Sequence, residues 1–329
     1  MKKILLSFGL VVFGSLLAVH AWLGQAPGDG KKEIDLIVES GDSPHSIARE
    51  LTGENMILSR SYFLFLTRFT GNTGRFKQGI YSLNDGMSAW QIMDRIVGGK
   101  VKLVTFTVPE GYNNRQIGDL LKEKNLSKSR EEFLQAASDT ALLKKYKIPA
   151  QSLEGYIFPE TYSVPVGFPV NRITEMMVKM FFKKLKKVEN IPDDLTPQEL
   201  HQRVILASIV EREAKKKEEQ PLMAGVFMRR EKIDMPLESC ATVQYLFDKP
   251  RPRLFEKDLK IQSPYNTYLN RGFPPGPISS PGFPALNAVF NPVETDKLFF
   301  VLKPDGSHYF SKTHREHLDA KRKYLDSQR

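Results

Sequence analysis

The chain has 329 residues, of which 41% are hydrophobic and 26% charged, and this globular composition excludes a chain that is disordered throughout. Its net charge of +10 suits an acidic polymer or an anionic membrane, whereas nucleic acid is not expected as a partner because no nucleic-acid-binding motif surrounds the basic clusters. The single cysteine, Cys240, excludes an intramolecular disulfide.

The N-terminus begins with an apolar segment that determines the expected compartment. Residues 4–23 contain no Asp, Glu, Lys or Arg and are long enough to span a bilayer. Two lysines precede the segment, which predicts that residues 1–3 are cytoplasmic and that the rest lies outside the cytoplasm. A signal peptide cleaved near Ala21 is the alternative. We expect the uncleaved anchor, because the apolar run continues to Leu23.

A first module is predicted over residues 33–103, after a Gly- and Pro-containing linker at 24–32. It opens with a strand at 34–38. One helix begins at Ser43 and another at Ser88, since both serines stand where a side chain can cap a helix.

The remaining chain, residues 104–329, begins with an echo of the first module. Residues recur 70 positions later, as in Val38 with Val108 and Gly41 with Gly111. This repetition indicates two copies of a strand–turn–helix–helix unit, with chance similarity as the alternative. Later predicted elements are an irregular aromatic segment or short strands at 153–170, helices at 171–187 and from Thr196, a Pro/Gly-rich loop with short pieces of structure at 264–292, strands at 298–302 and 307–310, and a helix at 313–327.

The helix that begins at Thr196 carries the candidate catalytic carboxyl. Residues 204–210 are almost uniformly apolar, so this stretch should be buried, and Glu211 follows directly. A partly desolvated carboxyl has a raised pKa and can serve as a general acid. Glu213 points to a different face and is expected to be a surface or supporting group. An exposed ion pair between Glu211 and Lys215 is the alternative.

Five segments carry a resemblance to one known family. They are LEGYIFPETY (153–162), ILASIVEREA (205–214), AGVFMRR (224–230), SPYNTYLNRGFPPGPISSPG (263–282) and GSHYFS (306–311). Together they resemble the signature segments of the YceG-like family of endolytic murein transglycosylases, and the segment at 263–282 is the most specific.

The resemblance implies an α+β fold with a transmembrane helix, a small LysM-like module at 33–103 and a larger mixed catalytic domain at 104–329. It implies non-hydrolytic cleavage of the β-1,4 MurNAc–GlcNAc bond within peptidoglycan strands, which leaves a 1,6-anhydroMurNAc end and terminates nascent strands. No cofactor or metal is expected. The implied partners are glycan strands, the inner (cytoplasmic) membrane and peptidoglycan synthases, with a single-pass anchor and an extracytoplasmic catalytic domain.

The resemblance also assigns site residues. Glu211 aligns with the catalytic glutamate, and one carboxyl would suffice because the C6 hydroxyl of the sugar replaces the second group that ordinary glycosidases need. Further expected substrate-binding residues are Tyr265, Asn266, Thr267, Glu160 and Glu238.

The chain departs from the family at Glu238-Ser239-Cys240, where a Gln-(Ser/Thr)-Asp group is usual, and this puts substrate orientation in doubt. Asn291-Pro292 likewise stands where His-Pro is common.

Three alternative hypotheses remain. Cys240 with a histidine would suit a cysteine peptidase, although nothing in the sequence near Cys240 resembles a nucleophile at a helix start with a positioned base. His308, His314 and His317 would suit a zinc site, although no acidic general base accompanies them. A wall-binding or scaffold protein without turnover is the third.

Overall fold

The computed structural model describes residues 13–15 and 17–324, and these divide into two compact units. One unit extends to Val104 and includes Ser163–Gly167, and the other comprises Thr105–Tyr162 and the chain from Phe168 onward. Half of the predicted anchor, namely residues 4–12 and 16, lies outside the described residues, as does the segment 1–3. Among the residues that are described, no helix combines the length and the apolar character needed to cross a membrane.

The first unit builds its core from a two-stranded sheet and three helices. Its elements are β1 (Glu33–Val38), α1 (Pro44–Gly53), α2 (Arg60–Phe69), β2 (Gly79–Asn84) and α3 (Ala89–Gly98). The strands are antiparallel, and Leu36 lies opposite Tyr81 with both side chains fully buried. The predicted caps are confirmed, since Ser43 and Ser88 each form a capping box at the start of a helix.

The predicted internal repeat is confirmed by local geometry. Its second copy consists of β3 (Leu103–Thr107), α4 (Asn114–Glu123) and α5 (Arg130–Ala137). The paired glycines Gly41 and Gly111 have φ of 96° and 77°, and the paired Asn55 and Asn125 have φ of 58° and 55°. Equivalent positions therefore adopt the same left-handed turn conformation, which glycine and asparagine tolerate best.

From Thr140 onward the chain is a mainly helical α+β structure. Its elements are α6 (Thr140–Lys145), β4 (Thr161–Pro165), α7 (Val170–Leu185), α8 (Pro197–Glu213), α9 (Gln220–Lys232), α10 (Cys240–Gln244), α11 (Phe283–Phe290), β5 (Phe299–Leu302), β6 (His308–Ser311) and α12 (His314–Tyr324). All of them belong to the second unit except the last three residues of β4, which belong to the first. β3 pairs with β4, and β5 forms an antiparallel hairpin with β6. The last part of the predicted C-terminal helix, 325–327, lies outside the described residues.

Helix α8 is the centre of the second unit. Thr196 caps it in a capping box with Glu199, as predicted, and residues 204–210 are buried against α9, α10 and α11. The aromatic segment before α7 supports the same helix, because the Tyr156 hydroxyl lies 2.9 Å from His201 Nδ1. The helix ends at Glu213, and the following Ala214 has an extended backbone.

Candidate active site

Glu211 lies on the packed side of the last turn of α8. It is half-buried, and its Oε2 accepts a hydrogen bond of 3.0 Å from the Gly282 N–H at the start of α11. A Cβ placed on Gly282 would come within 2.2 Å of Glu110 Oε1, so a second carboxyl group lies against the same glycine. Burial raises the pKa of Glu211, the Gly282 N–H opposes this rise, and the charge of Glu110 adds to it.

Two chain segments close over this side of α8. The Gly111 N–H donates to the Ser280 carbonyl at 2.9 Å, and the Ser280 N–H donates to the Tyr112 carbonyl at 2.7 Å. Ser208 anchors the same loop, because its hydroxyl accepts a 3.0 Å bond from the Ile278 N–H. The distinctive sequence at 278–282 therefore packs onto α8 beside Glu211.

Glu213 lies on another face of the same turn and lines an open cleft of about 510 Å³. Its Oε1 accepts hydrogen bonds from the Ser239 hydroxyl and, at 3.1 Å, from the Ala241 N–H. Its Oε2 has no hydrogen-bond partner in the part of the chain that the structure describes. One oxygen is thus fixed by the start of α10, and the other is available to a bound molecule.

The cleft has two walls with different chemistry. The first is formed by the end of α8, the start of α10 and a loop tyrosine, and the second by the β5–β6 hairpin and α12. The first wall contains Arg212, Glu213, Lys215, Glu238, Cys240 and Tyr268, and the second contains Phe299, Phe300, Val301, Leu302, His308, His314, His317 and Lys321. Its volume and mixture of aromatic and polar side chains are typical of a ligand site.

A buried arginine connects the two walls. Arg230 is 4% exposed, and its guanidinium donates to the carbonyls of Leu298 at 2.6 Å and Leu237 at 2.7 Å. It also pairs with the Glu238 carboxylate at 3.7 Å. A buried charge held by backbone carbonyls fixes the spacing of the segments that contribute it.

The predicted substrate-binding residues divide into those that reach the cleft and those that do not. Glu238 lines it, although Asn266 and Thr267 do not. Asn266 is fully buried, and its amide donates to the Leu259 and Ile261 carbonyls at 2.9 Å each. These hydrogen bonds indicate that Asn266 stabilises the conformation of its own loop.

Thr267 and Tyr265 also make internal contacts. The Thr267 hydroxyl accepts from the Ser239 N–H at 3.0 Å and contacts the Thr242 hydroxyl at 2.9 Å. The Tyr265 ring packs 5.0 Å from that of Tyr245. Thr267 therefore supports the segment that holds Glu213, and Tyr268 is the residue of this motif that lines the cleft.

Glu160 does not line the cleft, and its carboxylate pairs with the Lys184 ammonium group at 2.7 Å. This hydrogen bond holds the pKa of Glu160 below its usual value. The ion pair accounts for Glu160 as a structural group.

Two alternative sites were predicted from the sequence, one around Cys240 and one around three histidines. Desolvation raises the pKa of the Cys240 thiol, which disfavours a nucleophilic thiolate, and Sγ lies 3.1 Å from the Tyr268 hydroxyl. His308 Nδ1 lies 2.7 Å from Glu219 Oε2, while His314 and His317 pack with Phe299. In the described part of the chain, no group of three or more His, Cys, Asp or Glu residues is placed to hold a metal ion.

The chain is similar to known proteins over nearly its whole length. The model of the YceG-like family matches residues 36–323. The endolytic murein transglycosylase of Bacillus subtilis (strain 168) is 32% identical, over 97% of this chain and 92% of the relative. An endolytic murein transglycosylase of Streptococcus pneumoniae is 28% identical over 96% of this chain and 64% of the relative. A crystal structure of a yceG-like protein from Listeria monocytogenes has a TM-score of 0.60 and 31% identity, covering 88% of this chain and all of that one.

Proposed function

The chain belongs to the YceG-like family and acts as an endolytic lytic transglycosylase on peptidoglycan, and we propose that Glu213 is the acid and base of its reaction. The observation that carries this proposal is the environment of the Glu213 carboxyl. One oxygen is anchored by Ser239 and Ala241, and the other is free at an open cleft. A group that exchanges protons with substrate needs this combination of fixed orientation and access.

The reaction needs only one protein carboxyl. In its protonated form, Glu213 donates a proton to the glycosidic oxygen as the bond from that oxygen to C1 of MurNAc breaks. The resulting carboxylate then accepts the proton of the C6 hydroxyl, whose oxygen bonds to C1 and closes the 1,6-anhydro ring. Glu213 ends protonated, so the catalyst is regenerated and no water is consumed. The substrate supplies the nucleophile that a hydrolase would obtain from water.

Glu211 remains the prediction from the sequence, and its surroundings support a different role. Its carboxyl is half-buried and accepts a hydrogen bond from the Gly282 N–H of the loop at 278–282. In that position it stabilises the start of α11 and the loop that covers α8. Cleavage by Glu211→Gln and Glu213→Gln variants distinguishes the two glutamates.

Two neighbours of Glu213 complete the proposed site. Burial raises the pKa of Tyr268, so its hydroxyl stays protonated and can donate a hydrogen bond to a sugar oxygen. Ser239, the polar residue retained in the segment that departs from the family, orients the carboxyl. Cys240 stands where the family has an acid, so this chain keeps the serine contact while presenting a thiol to the cleft.

We further propose that residues 4–23 anchor the protein in the inner membrane with the second unit outside the cytoplasm. The uncharged run behind two lysines supports this orientation. The order strand, two helices, strand in the first unit supports a LysM-like module. Termination of nascent strands beside peptidoglycan synthases follows from an anchored enzyme that cuts within strands.

Analysis of the reaction products tests the chemistry. Full-length protein in detergent is incubated with purified peptidoglycan, and the new strand ends are identified by mass spectrometry. We expect anhydro ends, which are one water lighter than hydrolytic ends. Ordinary reducing ends would instead show a hydrolase, and binding without cleavage would favour the scaffold hypothesis.

A further inference from the structure

The cleft contains cationic side chains that the acid–base reaction does not use. Lys215 and Lys321 both line it, and neither forms an ion pair within the described ranges. Arg212 lines it too, and its guanidinium donates to the Gly111 carbonyl at 3.2 Å rather than to an acid. These charges lie at exposed positions, where an incoming anion can reach them.

The second wall adds two histidines beside these cations. Rings of His314 and His317 lie 5.7 Å and 5.3 Å from that of Phe299. Nδ1 of His317 is buried and has no hydrogen-bond partner among the described residues. Lys321 lines the same wall, and its positive charge adds to burial in lowering the pKa of His317.

The acidic residues of the cleft leave this positive charge uncancelled. Glu238 already faces the buried Arg230 at 3.7 Å. Among the described residues that line the cleft, Glu213 is the one other carboxylate, and three further cations, Arg212, Lys215 and Lys321, line it as well. Clefts lined by uncompensated cations attract anionic ligands. The glycan backbone of peptidoglycan is uncharged where its lactyl groups are joined to peptides, and the negative charges of the substrate are then the carboxylates of those peptides.

We propose that Lys215 and Lys321 bind carboxylates of the stem peptide attached to MurNAc, so that the cleft selects strands with acidic peptides. This inference rests on the proposed function, because it assumes that the strand lies across the cleft beside Glu213. The aromatic wall contacts the body of the substrate, and the ammonium groups bind the charged part of its peptide. Because both ammonium groups are exposed, salt weakens this selection.

The test compares two glycan substrates of equal length. One has peptides with free carboxylates, and in the other these carboxylates have been converted to carboxamides. For the full-length protein at low salt, we expect kcat/KM to be roughly tenfold higher for the acidic substrate, as two exposed charge contacts permit. In a Lys215→Gln/Lys321→Gln variant this ratio should fall to about one. Lys122→Gln/Lys144→Gln, which removes two exposed charges on α4 and α6, should retain the wild-type ratio.

Binding separates this inference from the proposed reaction. The affinities of both substrates are also measured with Glu213→Gln protein, with and without the lysine substitutions. This gives the preference for the acidic substrate as a ratio of affinities, without turnover. A binding ratio that depends on the lysines supports the inference even if Glu213 proves not to be catalytic. Equal ratios in wild type and the double lysine variant would overturn it. A strand stripped of peptides exposes lactyl carboxylates, and lysine-dependent preference for that strand over the acidic peptide strand would overturn the assignment to the peptide.

Discussion

The last turn of α8 has a packed side and an open side, and each side holds one carboxyl group. On the packed side Glu211 bonds to the Gly282 N–H and is covered by the loop at 278–282. On the open side Glu213 is oriented by Ser239 and faces a cleft. The difference shows that desolvation and access are separate requirements, because burial perturbs the pKa of Glu211 while the cleft leaves Glu213 accessible to a bound molecule.

Chemical modification of the open side should strongly reduce cleavage. Cys240 lines the cleft and is the only cysteine of the chain, so N-ethylmaleimide modifies one thiol beside Glu213. We expect alkylation to reduce cleavage about a hundredfold, because the adduct displaces substrate from the reacting geometry. Since desolvation raises the pKa of this thiol, the reaction should be run above pH 8 and followed by intact mass.

The matched control for alkylation is Cys240→Ser, whose activity should not respond to the reagent because it has no thiol. Full activity of quantitatively alkylated wild type would place the reaction outside this cleft.

On the packed side, substitution should affect stability more than chemistry. Gly155 has φ of 82°, and a Cβ there would lie 2.5 Å from Pro277 Cβ and 2.9 Å from Val204 Cγ1 of α8. Gly155→Ala therefore combines backbone strain with a clash, and we expect a loss of about 4 kcal/mol in the free energy of unfolding. Denaturant titration measures it.

Gly167→Ala is the control for this glycine, because Gly167 has φ of 76° with nothing within 4 Å of an added Cβ. It should cost only about 1 kcal/mol from backbone strain. Equal losses in the two variants would show that Gly155 does not pack closely on α8.

A buried acid on the packed side should make stability depend on pH. Burial raises the pKa of Glu154 to about 7, against the pull of hydrogen bonds from the Asn114 N–H and the Tyr245 hydroxyl. The folded protein therefore binds this proton more tightly than the unfolded chain. The stabilisation is complete below the unfolded value of 4.5 and is lost as pH rises to about 7, a change of about 3 kcal/mol.

Glu154→Gln should remove this dependence. Unfolding of both proteins at pH 4.5, 6 and 8 gives the difference in their free energies, which should shift by about 3 kcal/mol in favour of the variant as pH rises. A constant difference would mean that Glu154 titrates alike in the folded and unfolded states.

Local features of the fold were predictable from the sequence because they depend on neighbouring residues. The Thr196 cap and the repeat that pairs Gly41 with Gly111 are set within a few residues. The sequence did not predict α11 as a helix, because Gly282 provides no side-chain cap and the surrounding sequence is rich in Pro and Gly.

The candidate site was harder to predict because its cleft is assembled from distant segments. Glu213 acquires its partners from Ser239 and Ala241, and the facing wall comes from the hairpin and α12. A signal did exist in the sequence. Glu211 continues the apolar stripe that packs inward, whereas Glu213 lies off that stripe and is free to face a ligand.

The most direct measurement compares Glu213→Gln with Glu211→Gln in the full-length protein, using release of anhydro-ended fragments as the readout and thermal unfolding as the check on folding. We predict that Glu213→Gln lowers kcat about a thousandfold with an unchanged melting temperature, because glutamine cannot exchange the proton. Glu211→Gln should retain cleavage and lose stability instead. Loss of cleavage in folded Glu211→Gln with activity retained in Glu213→Gln would contradict this account and assign the reaction to the packed side.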